Sequence, residues 1–237
     1  MDQRLSIPQA LQLAADHHRA GRLREAEILY RQILRKDPDH ADALYLLGTL
    51  AGQLNQIPTA ISLIGRALSL QPANYLYAAN LAEFHRRLEQ FDLAIPLFRR
   101  AIELSPSQAL SYSNLGFALA QTGRNDEAVA ACNEAIRLDA SFVDAYINLA
   151  FALHNKGDLG GAIESYQRAV ALDARRHDAF YRLGLALTLA SRFDDAIAAF
   201  GRAIALKSDY VEAYSDLAVA LLGARRMDES ADACRRA

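Results

Sequence analysis

Apolar residues recur along the chain at helical spacing, and the helical stretches themselves recur. Between residues 109 and 142, Tyr112, Leu115, Gly116 and Leu119 follow an i, i+3, i+4, i+7 pattern, and Ala128, Cys132, Ala135 and Ile136 fall on one helical face at i, i+4, i+7, i+8. Each set marks one face of an amphipathic helix. The stretch Gln121-Thr122-Gly123-Arg124 between them reads as a turn, and Gly21 and Gly157 hold the equivalent place elsewhere. The pattern predicts two helices joined by a short connection.

That pair returns every 34 residues without an insertion. Leu13, Leu47, Leu81, Leu115, Leu149, Leu183 and Leu217 open the motif, each followed by Gly or Ala. Further on stand Ala26, Ala60, Ala94, Ala128, Ala162, Ala196 and Ser230, then Ile33, Ala67, Ala101, Ala135, Ala169, Ala203 and Ala237. Small residues at such places let helices cross at close range. The repeats fall at 7–40, 41–74, 75–108, 109–142, 143–176 and 177–210, with a partial one at 211–237 and a lead-in at 1–6. Ser6 and Gln9 form a capping-box pattern at the first helix start. Pro38, Pro72 and Pro106 mark stops after second helices, where later repeats carry Ala140, Ala174 and Ser208. Pro58 suits a first turn, Pro96 is expected to kink its helix or remove a hydrogen bond, and Gly160-Gly161 to weaken a helix start.

These residues carry a resemblance. Over residues 7–237 the chain is similar to the tetratricopeptide repeat family, through the Leu-Gly/Ala pair, the later Ala positions and the Pro after the second helix. The resemblance implies an all-α solenoid, a right-handed superhelix of tandem helix–turn–helix units whose first helices line a concave groove. It also implies that the groove holds a protein or peptide.

The sixth position of each repeat reads Gln12, Leu46, Asn80, Asn114, Asn148, Arg182 and Asp216. Three successive Asn offer amides that can donate to and accept from a peptide backbone. This run resembles the ladder in the tetratricopeptide arm of O-linked N-acetylglucosamine transferases. The alternative is that the amides pair with neighbouring helices. Tyr45, Arg86, Phe117, Phe151, His154, Tyr181 and Arg182 complete the candidate peptide-binding set, with Phe117 and Phe151 as apolar anchors or as packing between first helices. Asp144, Asp178 and Glu212 form an acidic row at the second position, read as a solvated feature of helix N-termini.

Composition narrows the class. The 26 basic and 28 acidic residues nearly balance, so no basic excess points to nucleic acid. No apolar run approaches membrane-spanning length and no signal-peptide pattern opens the chain, which leads to the expectation of a cytoplasmic protein without a membrane partner. Phosphate-loop, dinucleotide and zinc-protease motifs are absent, so no catalytic residue, metal site or cofactor is assigned and a non-enzymatic role is expected. Cys132 and Cys234 share a repeat position and read as small core residues. The last repeat lacks a polar closing helix. That observation raises two expectations: the chain belongs to a longer polypeptide, such as a glycosyltransferase whose substrates it recruits, or it self-associates through the uncapped repeat.

Overall fold

In the computed structural model, which describes residues 5–237, the chain is all-α. The lead-in at residues 1–4 lies outside the described residues. Fourteen helices form seven antiparallel pairs among the described residues. The pairs are α1 (Ile7–Arg19) with α2 (Leu23–Lys36), α3 (Ala41–Gln53) with α4 (Ile57–Leu70), and α5 (Tyr75–Arg87) with α6 (Phe91–Leu104). Then follow α7 (Ala109–Gln121) with α8 (Asn125–Leu138), α9 (Val143–Lys156) with α10 (Leu159–Leu172), α11 (His177–Leu189) with α12 (Phe193–Leu206), and α13 (Val211–Gly223) with α14 (Met227–Arg236).

The chain divides into two compact blocks, one ending at Ser107 and one running from Gln108 to Ala237. In the first block α2 packs on α3 and α4 on α5, while the first helices α1, α3 and α5 also meet in sequence. In the second, α8 packs on α9, α10 on α11 and α12 on α13, with α7 against α9 and α11 against α13.

The crossing inside each pair shows why small residues sit there. Ala26, Ala60, Ala94, Ala128, Ala162 and Ala196 are all fully buried. The seventh copy has Ser230, whose hydroxyl donates to the Ala218 carbonyl at 2.9 Å instead of standing unsatisfied. A methyl group on Gly48 would lie 2.6 Å from Ile64, and one on Gly116 would lie 2.4 Å from the Cys132 sulfur. One on Gly184 would lie 2.6 Å from the Phe200 ring. Glycine is therefore a spacing requirement at these crossings. Around them lie the cores, with Tyr30, Ile64, Tyr77 and Phe84 in the first block and Tyr166, Leu183, Leu187 and Phe200 in the second.

Every turn between paired helices needs one residue in the left-handed region. Gly21, Gly123 and Gly157 supply it in three repeats; Asn55, Glu89, Ser191 and Arg225 adopt it at the same place in the other four, with φ between 57° and 61°. A side chain there costs about 1–2 kcal/mol, so the hairpins tolerate local strain held by packing on both sides.

The exits from second helices are alike with or without proline. Asp37, Gln71, Ser105, Asp139, Asp173 and Lys207 all leave the helix with φ between −131° and −148°. In two of the three repeats without proline, an aspartate holds the turn. Asp139 accepts from the Ser141 amide at 2.9 Å, and Asp173 accepts from the Arg175 amide at 3.0 Å. Ser6 and Gln9 make the capping box at α1. Pro58 lies in the first turn of α4. The helix α6 runs unbroken through Pro96, on an exposed face where the carbonyl it leaves without a donor is open to solvent. Gly161 lets Asp158 cap α10, accepting the Gly161 amide at 2.9 Å where a methyl group would come within 2.7 Å of the carboxylate.

Candidate functional site

First helices begin every 34 residues, but contacts between them recur at a separation of 35. Neighbouring helices pack with a one-residue advance, so a side chain at one position reaches the preceding position of the repeat before it. The candidate site is built on this advance.

In the first block the sixth-position amide of Asn80 donates to the Tyr45 hydroxyl. The Tyr45 ring stacks on Tyr77 at 4.6 Å and 28°, and the Tyr77 hydroxyl donates to Asp42. Burial pushes both phenols up, and for Tyr77 the Asp42 carboxylate adds to the effect, so both remain hydrogen-bond donors through the physiological range. Along the same face Arg86 grips Glu83 with two bonds of 2.6 and 2.7 Å. Arg87 reaches back to the Gly52 carbonyl at 3.5 Å and to Asn55 at 3.2 Å. His18 meets Gln53 at 3.1 Å.

In the second block Asn148 donates to Ser113, at 3.0 Å to its hydroxyl and 3.3 Å to its carbonyl. Ser113 is fully buried. Asn155 repeats the reach, donating to the Ala120 carbonyl at 3.4 Å. Asn114 is half-buried at the same sixth position of α7 and is also engaged. Phe117 and Phe151 stack at 6.2 Å, both half-buried, and the Arg182 guanidinium lies 5.8 Å over the Phe151 ring. Arg182 also faces the buried Tyr166, whose phenol burial raises and Arg182 partly draws back. Tyr181 donates to Asp216 at 2.8 Å and packs against Tyr210 at 4.9 Å. His154 lies half-buried on the same face of α9.

Two readings of the sequence change here. The acidic row is not simply solvated, because Arg176, in the loop before α11, bridges Asp144 at 2.7 Å and Asp178 at 2.8 Å. That contact holds the Asp178 carboxyl below its usual range and raises the guanidinium. Glu212 stays exposed. The cysteines also differ: burial pushes the Cys132 thiol up to about 12, whereas Cys234 is exposed on α14, which packs mainly against α13.

Sequence reasoning missed the continuation of the Phe117–Phe151 pair. The ninth position of each repeat continues as the half-buried Leu185 and as Val219, exposed by 55%, with Leu189 and Leu222 exposed by 58% and 50% on the same two helices. The second block thus carries a large apolar residue at the ninth position of each of its first helices. The corresponding residues of the first block are Ala15, Thr49 and Glu83.

On the opposite side of the second block, a cleft of about 610 Å³ opens between α8 and α10 over Tyr146, Leu149 and Leu153. Its polar lining, Asn133, Glu164, Ser165, Gln167 and Arg168, comes from second helices, whereas the residues expected to bind peptide all lie on first helices. The first-helix faces therefore hold the candidate site. Among the described residues no helix is long and apolar enough to cross a membrane, and no three His, Cys, Asp or Glu residues are grouped to hold a metal.

Sequence profiles described as tetratricopeptide repeat match residues 45–109, 81–141 and 181–237, and another so described matches 9–50. A profile described as TPR repeat matches 152–189. No curated protein sequence matches the chain. Among solved structures, a MamA protein aligns at 25% identity and TM-score 0.61 over 68% of this chain and 88% of its own. YrrB, described as a TPR protein with an unusual peptide-binding site, aligns at 18% identity and TM-score 0.62 over 78% and 95%. The APC/C hetero-tetramer Cut9–Hcn1 aligns at 17% identity and TM-score 0.76 over 91% of this chain and 43% of that one. The expected likeness to a glycosyltransferase arm finds no support in these structures.

Proposed function

Because the chain belongs to the tetratricopeptide repeat family, we propose that it is a protein-interaction scaffold that captures an extended peptide on the face of its first helices. The observation that carries this reading is the fixed amide at the sixth position. In Asn80 and Asn148 the Nδ2 side is committed to the preceding helix, which leaves Oδ1 to meet a ligand. A rigid acceptor beside apolar side chains suits a peptide N–H and takes little notice of sequence. YrrB, with the same fold and a described peptide-binding site, agrees with it. Within each block the other candidates, Tyr45 and Arg86 in the first and Phe117, Phe151, His154, Tyr181 and Arg182 in the second, share the first helices with the amides and give each face its selectivity. No catalytic role is assigned to any of them.

The test is the combined replacement Asn80→Ala, Asn114→Ala and Asn148→Ala. Circular dichroism should keep the helical signal, since each replacement removes about one net hydrogen bond. Capture of peptides from a displayed random library should fall to background. Unchanged capture by the folded triple variant would overturn the proposal.

A further inference from the structure

The cleft between α8 and α10 lies apart from the first-helix face, yet its floor and its charged wall recur. The floor is Tyr146, Leu149 and Leu153 of α9, and the α10 wall carries Glu164 and Arg168. Two repeats on, a smaller cleft of about 270 Å³ has Tyr214, Leu217 and Leu221 of α13 below and Asp232 and Arg236 of α14 beside it. There Asp232 is already paired with Arg235. In the repeat between, the corresponding guanidinium, Arg202, lies 5.8 Å over the Phe180 ring.

At the larger cleft both charges stay open. Glu164 and Arg168 are exposed one turn apart on α10, and neither has an ion-pair or ring partner among the described residues. The same order and spacing closes in α2, where Arg31 meets Glu27 at 2.7 Å, so reach does not explain the open pair. The wall thus offers a carboxylate and a guanidinium beside an apolar floor.

The floor offers no free hydroxyl. Tyr146 donates to the Ala140 carbonyl at 3.2 Å, and Ser165 donates to the Gly161 carbonyl at 2.8 Å. An extended segment laid there would bury backbone groups with no receiver beneath them. A helix brings its backbone already paired and presents side chains alone. Its residues four apart stand about 5–6 Å from each other, the spacing of Glu164 and Arg168 themselves. A strand sets same-side residues at about 6.8 Å and could serve both charges, so the backbone decides.

We infer that the α8–α10 cleft docks an amphipathic helix of a partner protein, lying along α10. The helix presses an apolar residue onto Tyr146, Leu149 and Leu153, and it carries a cation for Glu164 and a carboxylate for Arg168 four residues apart. This surface is independent of the peptide-capture reading above.

The chain has no tryptophan, so a peptide with one Trp reports its own burial by a blue shift of its emission. The experiment uses stapled helical peptides with a central Trp on the apolar face and, four residues apart beside it, Lys with Glu, Lys with Lys, or Glu with Glu. Comparing mixed with like charges makes the outcome independent of which way the helix runs. Titrated against the full chain, the mixed peptide should bind at least about fivefold tighter than either like-charged one, since it gains an exposed ion pair where they meet repulsion. Arg168→Glu should turn the preference to the Lys–Lys peptide, and Glu164→Arg to the Glu–Glu peptide. Asn133→Phe, at an exposed site on the α8 rim, should narrow the cleft and weaken the mixed peptide at least about tenfold.

Equal binding of the three charge patterns, binding that survives Asn133→Phe, or no binding at all would overturn this inference. Equal or tighter binding of an unstapled peptide of the same charges, held extended by Pro, would overturn the helix as occupant. The triple Asn replacement should leave the mixed peptide's affinity unchanged. Its loss there would place the peptide on the first helices, which overturns this inference and leaves peptide capture standing.

Discussion

The amides of Asn80 and Asn148 hold the same repeat position and reach back the same 35 residues, yet they meet different receivers. In the first block the receiver is the Tyr45 phenol, backed by the stacked ring of the buried Tyr77 and anchored on Asp42. In the second it is the small, buried Ser113, and the bulk moves one turn along to Phe117 and Phe151. The phase of the backbone decides where a contact falls. The size of the receiving residue decides whether the face there is filled or left open. Two stretches of one fold thus present a polar, self-bonded surface and an apolar one.

The largest test replaces the filled side. Tyr77→Ala removes a fully buried ring and should cost about 3–5 kcal/mol by chemical denaturation. Ser111→Ala, at the same third position in the second block, should cost under about 1 kcal/mol. Similar losses at the two sites would show that the contrast between filled and open faces is wrong.

The two amides come next. Asn148→Ala leaves the buried Ser113 hydroxyl without its donor and should cost about 1–2 kcal/mol. Asn80→Ala frees a half-buried phenol that can turn to water, so about 0.5 kcal/mol is expected. Denaturation midpoints that rank the other way would reverse the assignment of which amide is structural.

The bridge around Arg176 is a feature of the second block and gives a pH signature. The Asp178 carboxyl is lowered by Arg176, so the folded state gains stability above the ordinary carboxylate range near pH 4. That gain disappears as acid protonates the group. Exposure limits it to no more than about 1 kcal/mol. Arg176→Gln should flatten the fall in melting temperature between about pH 5 and 3. An identical acid slope in the variant would remove the bridge from the stability account.

The smallest effect sharpens what the blocks share. Glu89→Gly in one and Ser191→Gly in the other relieve the same left-handed turn. Relief is partly offset by the extra freedom glycine gives the unfolded chain, so each should stabilise by about 0.5 kcal/mol. Destabilisation of either would mean that its side chain holds the turn through contacts.

The helical pairs were legible because the apolar spacing and the small crossing residues repeat in phase, and steric closeness at Gly116 or Ala128 leaves a direct mark on residue choice. The left-handed turns were legible at Gly21, Gly123 and Gly157 but hidden at Glu89, Ser191 and Arg225, whose residue types carry no such signal. At the candidate site the positions of the amides could be read, but their receivers could not, because the one-residue advance between helices is a property of packing. Leu185 and Val219 look like ordinary core residues, and only register, with exposure in the case of Val219, joins them to Phe117 and Phe151. Arg176 lies in a connection whose fold places it between two acids that sequence alone sets 34 residues apart.

The recurring reach of 35 residues also bears on how such a chain can change length. Losing or gaining one residue in a connection would shift the contacts that span it off the 35-residue reach. Removing or duplicating a complete helical pair would keep each remaining amide in phase with the fifth position of the repeat before it, whatever residue stands there. Length variants that survive selection should therefore come in whole pairs, and a graft of one pair from the second block into the first should carry its surface character with it.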